Sequence, residues 1–142
     1  MVQPVPSGTL VVVLDSRTAE GSFRANRRTN IWWTVHTGGA LRFTHGKLAS
    51  YSFQEGEAEF ARQYRAGTAG RDRTSVLKIG LNPAVVDVPN LETVEGGSVS
   101  LQIGRNLYLG GTNGSSFFSW FTLAGAEVAV DGTPVIRAGK FL

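Results

Sequence analysis

Residues 95–121 read EGGSVSLQIGRNLYLGGTNGSSFFSWF, and their pattern decides the fold. Residues 98–103 alternate as a half-buried strand, glycines 104, 110, 111 and 114 mark turns, and 117–121 read as a second strand ending in aromatics. No acid, histidine or cysteine lies between Ser98 and Phe121. The stretch therefore reads as a β scaffold from which the usual metal-ligating groups are missing.

The same pattern continues outward. TLVVVL at 9–14 is a β-branched run of strand length, and 22–28 alternates loosely as another strand, which Asn30 is expected to end. IWWTVH at 31–36 is rich in strand formers. Gly38-Gly39 predicts a turn into a strand over 40–44, and His45-Gly46 a turn into a strand over 47–53. EGEAEFARQYRA at 55–66 predicts the principal helix: Ala58, Phe60, Ala61 and Tyr64 share a face, acids gather in the first turn, arginines in the last, and Gly67 ends it. After a polar loop at 71–75 a strand follows over 76–80, and Pro83 turns Asn82 away from helical geometry. Residues 1–7 read as an extended lead-in and 87–95 as a surface segment. A terminal hairpin spans 127–138 about Asp131-Gly132. The sum is one α+β, mainly β domain over 1–142. Its antiparallel or mixed sheet is expected to curl into a sandwich or partly closed barrel, with one principal helix.

Composition narrows the classes. With 142 residues, 42% hydrophobic and 18% charged, the chain is long enough and apolar enough to bury a core. The longest apolar run, 10–14, is far too short to cross a bilayer, so no membrane partner is expected. The absence of cysteine excludes disulfides, thiolate metal sites and thiol chemistry. Together with an N-terminus that lacks a basic-then-apolar leader, it leads us to expect a cytoplasmic protein. The net charge of +3 comes largely from arginines 24, 27, 28 and 62, 65, 71, 73. Only Trp32 and Trp33 adjoin such a cluster, so the charge reads as a solvated surface and nucleic acid is not an expected partner.

Candidate chemistry is sparse. His36 and His45, the only histidines, stand beside apparent turns (HTGG, THGK) and read as surface residues. The weak catalytic alternative pairs them with an acid from Asp15, Glu55, Glu57, Glu59, Asp72 or Asp87, none singled out by spacing. Glu55, Glu57 and Glu59 alternate and would spread around a helix. Serines 115, 116 and 119 lack a GxSxG elbow and an evident His–acid partner, and residues 104–114 lack the strand–GxGxxG–helix order of a dinucleotide site. The aromatics read as core or interface, with Trp32, Trp33, Phe118 and Trp120 the candidate lining of a small-ligand pocket.

Six segments share an order with a known family: PSGTL (6–10), AEGSF (19–23), IGLNP (79–83), EGGSVSLQIG (95–104), GGTNGS (110–115) and VDGTPVIRAGKF (130–141). Over nearly its whole length the chain resembles the C-terminal, metal-carrying half of the M29 metallopeptidases, the aminopeptidase T and leucyl aminopeptidase family. The N-terminal α/β domain that precedes this half in the family is not among these residues. The resemblance implies a dinuclear zinc or cobalt site that activates water to cut N-terminal peptide bonds. At the positions where the family carries ligands this chain has Thr9 for the Glu of PxGE, Val76 for the Glu before GxNP and Ser100 for the His of GTxH. Phe118 and Trp120 replace the His and Asp that follow GGxNxS. These side chains do not hold a divalent ion tightly. The expectation is thus a pseudoenzyme-like binding or self-association domain without catalytic residues or cofactor, a dimer or larger homo-oligomer, or a binder of another protein. The alternatives are a diverged metal-dependent aminopeptidase or hydrolase, with zinc or cobalt in a site rebuilt on His36 and His45, and one subunit of a split M29-like enzyme.

Overall fold

The computed structural model describes residues 8–31, 34–86 and 95–142. The expectations for 1–7, for Trp32 and Trp33 and for 87–94 lie outside the described residues. The strands are β1 (Thr9–Val13), β2 (Gly21–Ile31), β3 (Thr34–Thr44), β4 (Lys47–Glu55), β5 (Thr74–Gly80), β6 (Val99–Gly104), β7 (Phe118–Leu123), β8 (Val128–Val130), β9 (Thr133–Arg137) and β10 (Lys140–Phe141). Helix α1 (Glu57–Ala66) follows β4, and a single 3₁₀ turn (Leu107–Leu109) follows β6.

The strands form three sheets, ordered β1-β5-β6-β7, β2-β3-β4 and β10-β9-β8, with every pairing antiparallel. None closes into a barrel. Of the expected options, the antiparallel, mainly β arrangement with one principal helix is the one found. β2 lies along the outer edge of β7 and is tied to it by side chains rather than by a ladder. The Asn26 amide accepts from the Ala124 N–H at 2.8 Å and donates to the Ala124 carbonyl at 3.1 Å, and the Thr29 hydroxyl donates to the Trp120 carbonyl at 3.2 Å. A sheet edge that would otherwise invite another chain is covered in this way.

The main core lies between the first two sheets and α1. Leu41, Phe43, Leu48, Phe60, Leu101, Ile103, Phe117 and Phe121 meet there. A second cluster of Ile79, Val99, Ala126 and Ile136 seats the terminal hairpin on the end of the four-stranded sheet. Phe60 is the residue α1 buries; Tyr51, Phe53, Tyr64, Phe117 and Phe121 surround it with ring centroids 4.8–5.9 Å away. Ala58, expected on this face, is exposed.

Several sequence expectations are corrected. Asn30 does not end its strand; it pairs with Val35 and β2 runs on to Ile31. Gly38-Gly39 is not a turn. β3 passes straight through it, and Gly38 (φ 55°) stands where Asn26 and Arg27 bulge out of β2. Glycine in a strand interior often marks such a bulge rather than a chain reversal. The helix begins two residues later than its charge pattern suggests, because Gly56 (φ 81°) first breaks β4 in the left-handed region. A Cβ there would stand 1.9 Å from the Val35 carbonyl oxygen, so no other residue fits without backbone movement.

Candidate functional site

The register of β1-β5-β6-β7 sorts its residues onto two faces. One row across the sheet is Val11, Lys78, Ser100 and Thr122; the next is Val13, Val76, Gln102 and Trp120; Thr9 opposite Gly80 and Phe118 opposite Gly104 extend the same face. The other face carries Leu77, Ile79, Leu101, Ile103 and Phe121 into the cores. All five positions singled out by family resemblance, Thr9, Val76, Ser100, Phe118 and Trp120, therefore share the non-core face. Residues spread over 112 positions of chain meet because the alternation of four strands is in phase.

That face is polar, aromatic and largely buried. Val76, Ser100 and Gln102 are no more than 3% exposed, and Lys78 is 5% exposed. The Lys78 ammonium sits over the Trp120 ring, 5.1 Å from its centroid, a cation–π contact in a dry setting. Trp120 packs against Phe118 at 5.6 Å, and Tyr108, on the 3₁₀ turn, reaches back to Phe118 at 6.3 Å. The Tyr108 hydroxyl donates to the Gln102 side-chain carbonyl at 2.9 Å, and the Gln102 amide donates to the Arg105 carbonyl. Thr122 donates to the Ser100 hydroxyl at 3.1 Å. The Thr9 hydroxyl is buried without a hydrogen-bond partner among the described residues.

These residues do not fit the dinuclear zinc or cobalt centre that the resemblance implies. At the five positions two hydroxyls, an alkyl group and two aromatic rings, with the Gln102 amide beside them, are poor donors to a borderline dication, which wants imidazole or carboxylate. Among the described residues no group of three or more His, Asp or Glu side chains converges.

The two histidines part company. His45 is exposed at the β3–β4 turn, where its backbone N–H and its ring both face Glu20. His36, expected at the surface, is 2% exposed, enclosed by the rings of Phe53, Phe60 and Phe121 at 4.7–5.7 Å. Burial pushes its pKa down to about 4, which keeps the ring neutral at physiological pH. They occupy opposite ends of one extended strand, on the order of 25 Å apart, so the pair proposed as a weak catalytic alternative does not form a site. His36 instead meets Ser119, Nε2 to Oγ 3.2 Å, linking β3 to β7 inside the core. Sequence reading passed over this pair because no motif marks it; only the packing of β3 on β7 makes it. With both groups buried, each satisfies the other, as interior polar groups must. Of the proposed pocket lining, Phe118 and Trp120 touch each other on the non-core face, and Trp32 and Trp33 lie outside the described residues.

The arrangement defines an antiparallel, mainly β fold whose buried sheet face sets a lysine over an aromatic pair beside hydroxyl and amide groups. No family model and no curated protein matches the sequence. Among solved structures the chain is similar to the 2,5-dihydroxypyridine dioxygenase of Pseudomonas putida KT2440 (TM-score 0.72, 18% identity, 96% of this chain and 44% of that one). It is also similar to AmpT of Thermus thermophilus (TM-score 0.72, 17% identity, 97% of this chain and 40% of that one). The chain thus spans less than half the length of either, and at these identities the likeness establishes the fold. No helix of the described residues is long and apolar enough to cross a membrane.

Proposed function

We propose that this chain is a non-catalytic binding or self-association domain that keeps the fold shared by AmpT and the dioxygenase after loss of its metal chemistry. A single observation carries the reading. Thr9, Val76, Ser100, Phe118 and Trp120 lie on one sheet face around a buried lysine, so the residues there suit packing and hydrogen bonding instead of holding a dication. The two structural neighbours bear different names, one of them a dioxygenase, so the scaffold alone does not dictate an activity. Support for self-association comes from β1, an edge strand on which Leu10, Val12 and Val13 are 38–45% exposed. The partner is accordingly a second copy or another protein, and the expected setting is the cytoplasm.

The test is elemental mass spectrometry of the purified protein, with melting temperature followed in zinc, cobalt and EDTA. A folded-state site would stabilise the protein by mass action. We expect sub-stoichiometric metal and no shift; stoichiometric metal with a clear shift overturns the proposal. A second reading, one subunit of a split enzyme, draws on the 44% and 40% coverage of the neighbours. Native mass spectrometry separates the two: a mass of two or more times 15.2 kDa supports self-association, and a stoichiometric second polypeptide supports the divided enzyme.

A further inference from the structure

Away from the sheet face, a concavity of about 330 Å³ is lined by Lys47, Tyr64, Arg71, Asp72 and Arg73 among others. The chain brings these together by pairing the start of β4 with the loop before β5. Lys47 bridges Arg73 through the backbone, and the Leu48 N–H donates to the Asp72 carbonyl at 2.8 Å. Arg73 is braced by donating to the His45 carbonyl at 3.2 Å. Arg71 lies over the Tyr64 ring, 5.4 Å from its centroid, and donates one Nη to the Gly67 carbonyl at 2.8 Å.

Three cations face one carboxylate, and none of the three belongs to an ion pair among the described residues. Two positive charges are thus uncompensated in one concave place. The Arg71 Nε is buried and has no hydrogen-bond partner among the described residues. Complementing the carbonyl end of α1 accounts for the contact of Arg71 with Gly67. It does not account for the orphaned Nε, nor for Lys47 and Arg73 sharing the same concavity.

We propose that this concavity binds a phosphate group, free or as the monoester of a small molecule, with Lys47, Arg71 and Arg73 as its donors. Near neutral pH a phosphate monoester carries a charge close to −2, which matches the local excess, and its oxygens suit guanidinium and ammonium donors. A singly charged carboxylate would leave half the excess unmet.

The experiment is calorimetric titration with inorganic phosphate at constant ionic strength, with chloride as the balancing ion. Wild-type protein is expected to show saturable binding, and Lys47→Gln to weaken it about tenfold, the size of one charge-assisted hydrogen bond. Lys47→Arg is expected to retain binding and Asp72→Asn to tighten it. Neither the Lys47 nor the Asp72 side chain makes a hydrogen bond among the described residues, so each variant should melt in chloride as the wild type does. A parallel titration with glycerol 3-phosphate separates the sources: tighter binding than phosphate marks an ester site, equal or weaker binding a site for the free ion. Absence of saturable binding overturns the proposal, as does binding that ignores both Lys47→Gln and Asp72→Asn.

Discussion

His36 shows how one residue's setting escapes its neighbours in sequence. On β3 the buried residues are Gly39, Leu41 and Phe43 on one side of Gly38 and His36 on the other, so the inward phase of the strand changes at the bulge. Simple alternation from Leu41 and Phe43 would place His36 outward, and the flanking HTGG strengthens that impression. The burial has a consequence in acid. Its folded pKa of about 4 lies below the unfolded value near 6.5, so the unfolded chain takes up the proton first. This contribution to stability is whole above pH 6.5, is lost as pH falls from there towards 4, and amounts to about 3 kcal/mol. Urea unfolding at neutral pH and at about pH 5 and 4 should show that slope. His36→Leu should flatten it while costing about 1–3 kcal/mol at neutral pH, since the Ser119 hydroxyl loses its partner. Asp15 and Glu59, held below the usual carboxylate range by Arg17 and Arg62, lose stability in acid too, so the comparison with the variant isolates the histidine.

At the level of elements, α1 was legible because 3.6-residue periodicity, terminal charges and Gly67 all agree, and β6 and β7 were legible because period-two patterning repeats on both sides of a glycine-rich stretch. The bounds were less so. β4 extends to Glu55 and the helix waits for Gly56, since a carbonyl of β3 occupies the space any side chain there would need. What the helix contributes is concentrated in Phe60, fully buried at the junction of β3, β4 and β7. Phe60→Ala should cost about 3–5 kcal/mol, a large part of the stability of a domain this size. Chemical denaturation reads it directly; a loss under about 1 kcal/mol would mean the helix packs loosely on the sheets.

For the whole molecule, the decisive feature is which edges and faces are left open. β2 seals the β7 edge through Asn26 and Thr29, whereas β1 ends the same sheet with Leu10, Val12 and Val13 partly exposed. If the domain self-associates as proposed, Val12→Lys should shift it towards monomer in sedimentation experiments, because a charge on an edge strand opposes strand-to-strand pairing. Unchanged mass in that variant would move the interface elsewhere, for instance to the terminal sheet, where Val130, Phe141 and Leu142 are exposed.

The sequence by itself determined the composition of a folded β-rich domain, the place of most strands and the helix, the turn at Asp131-Gly132 and the want of ligating side chains at the family's positions. These are local properties: propensity, alternation and the chemistry of single residues. Only the tertiary structure decided that Thr9, Val76, Ser100, Phe118 and Trp120 share a face with a buried Lys78, that His36 meets Ser119, and that Lys47 joins Arg71 and Arg73 around one concavity. Each depends on strand register, bulge position or loop path, which long-range packing sets and no short window of sequence contains.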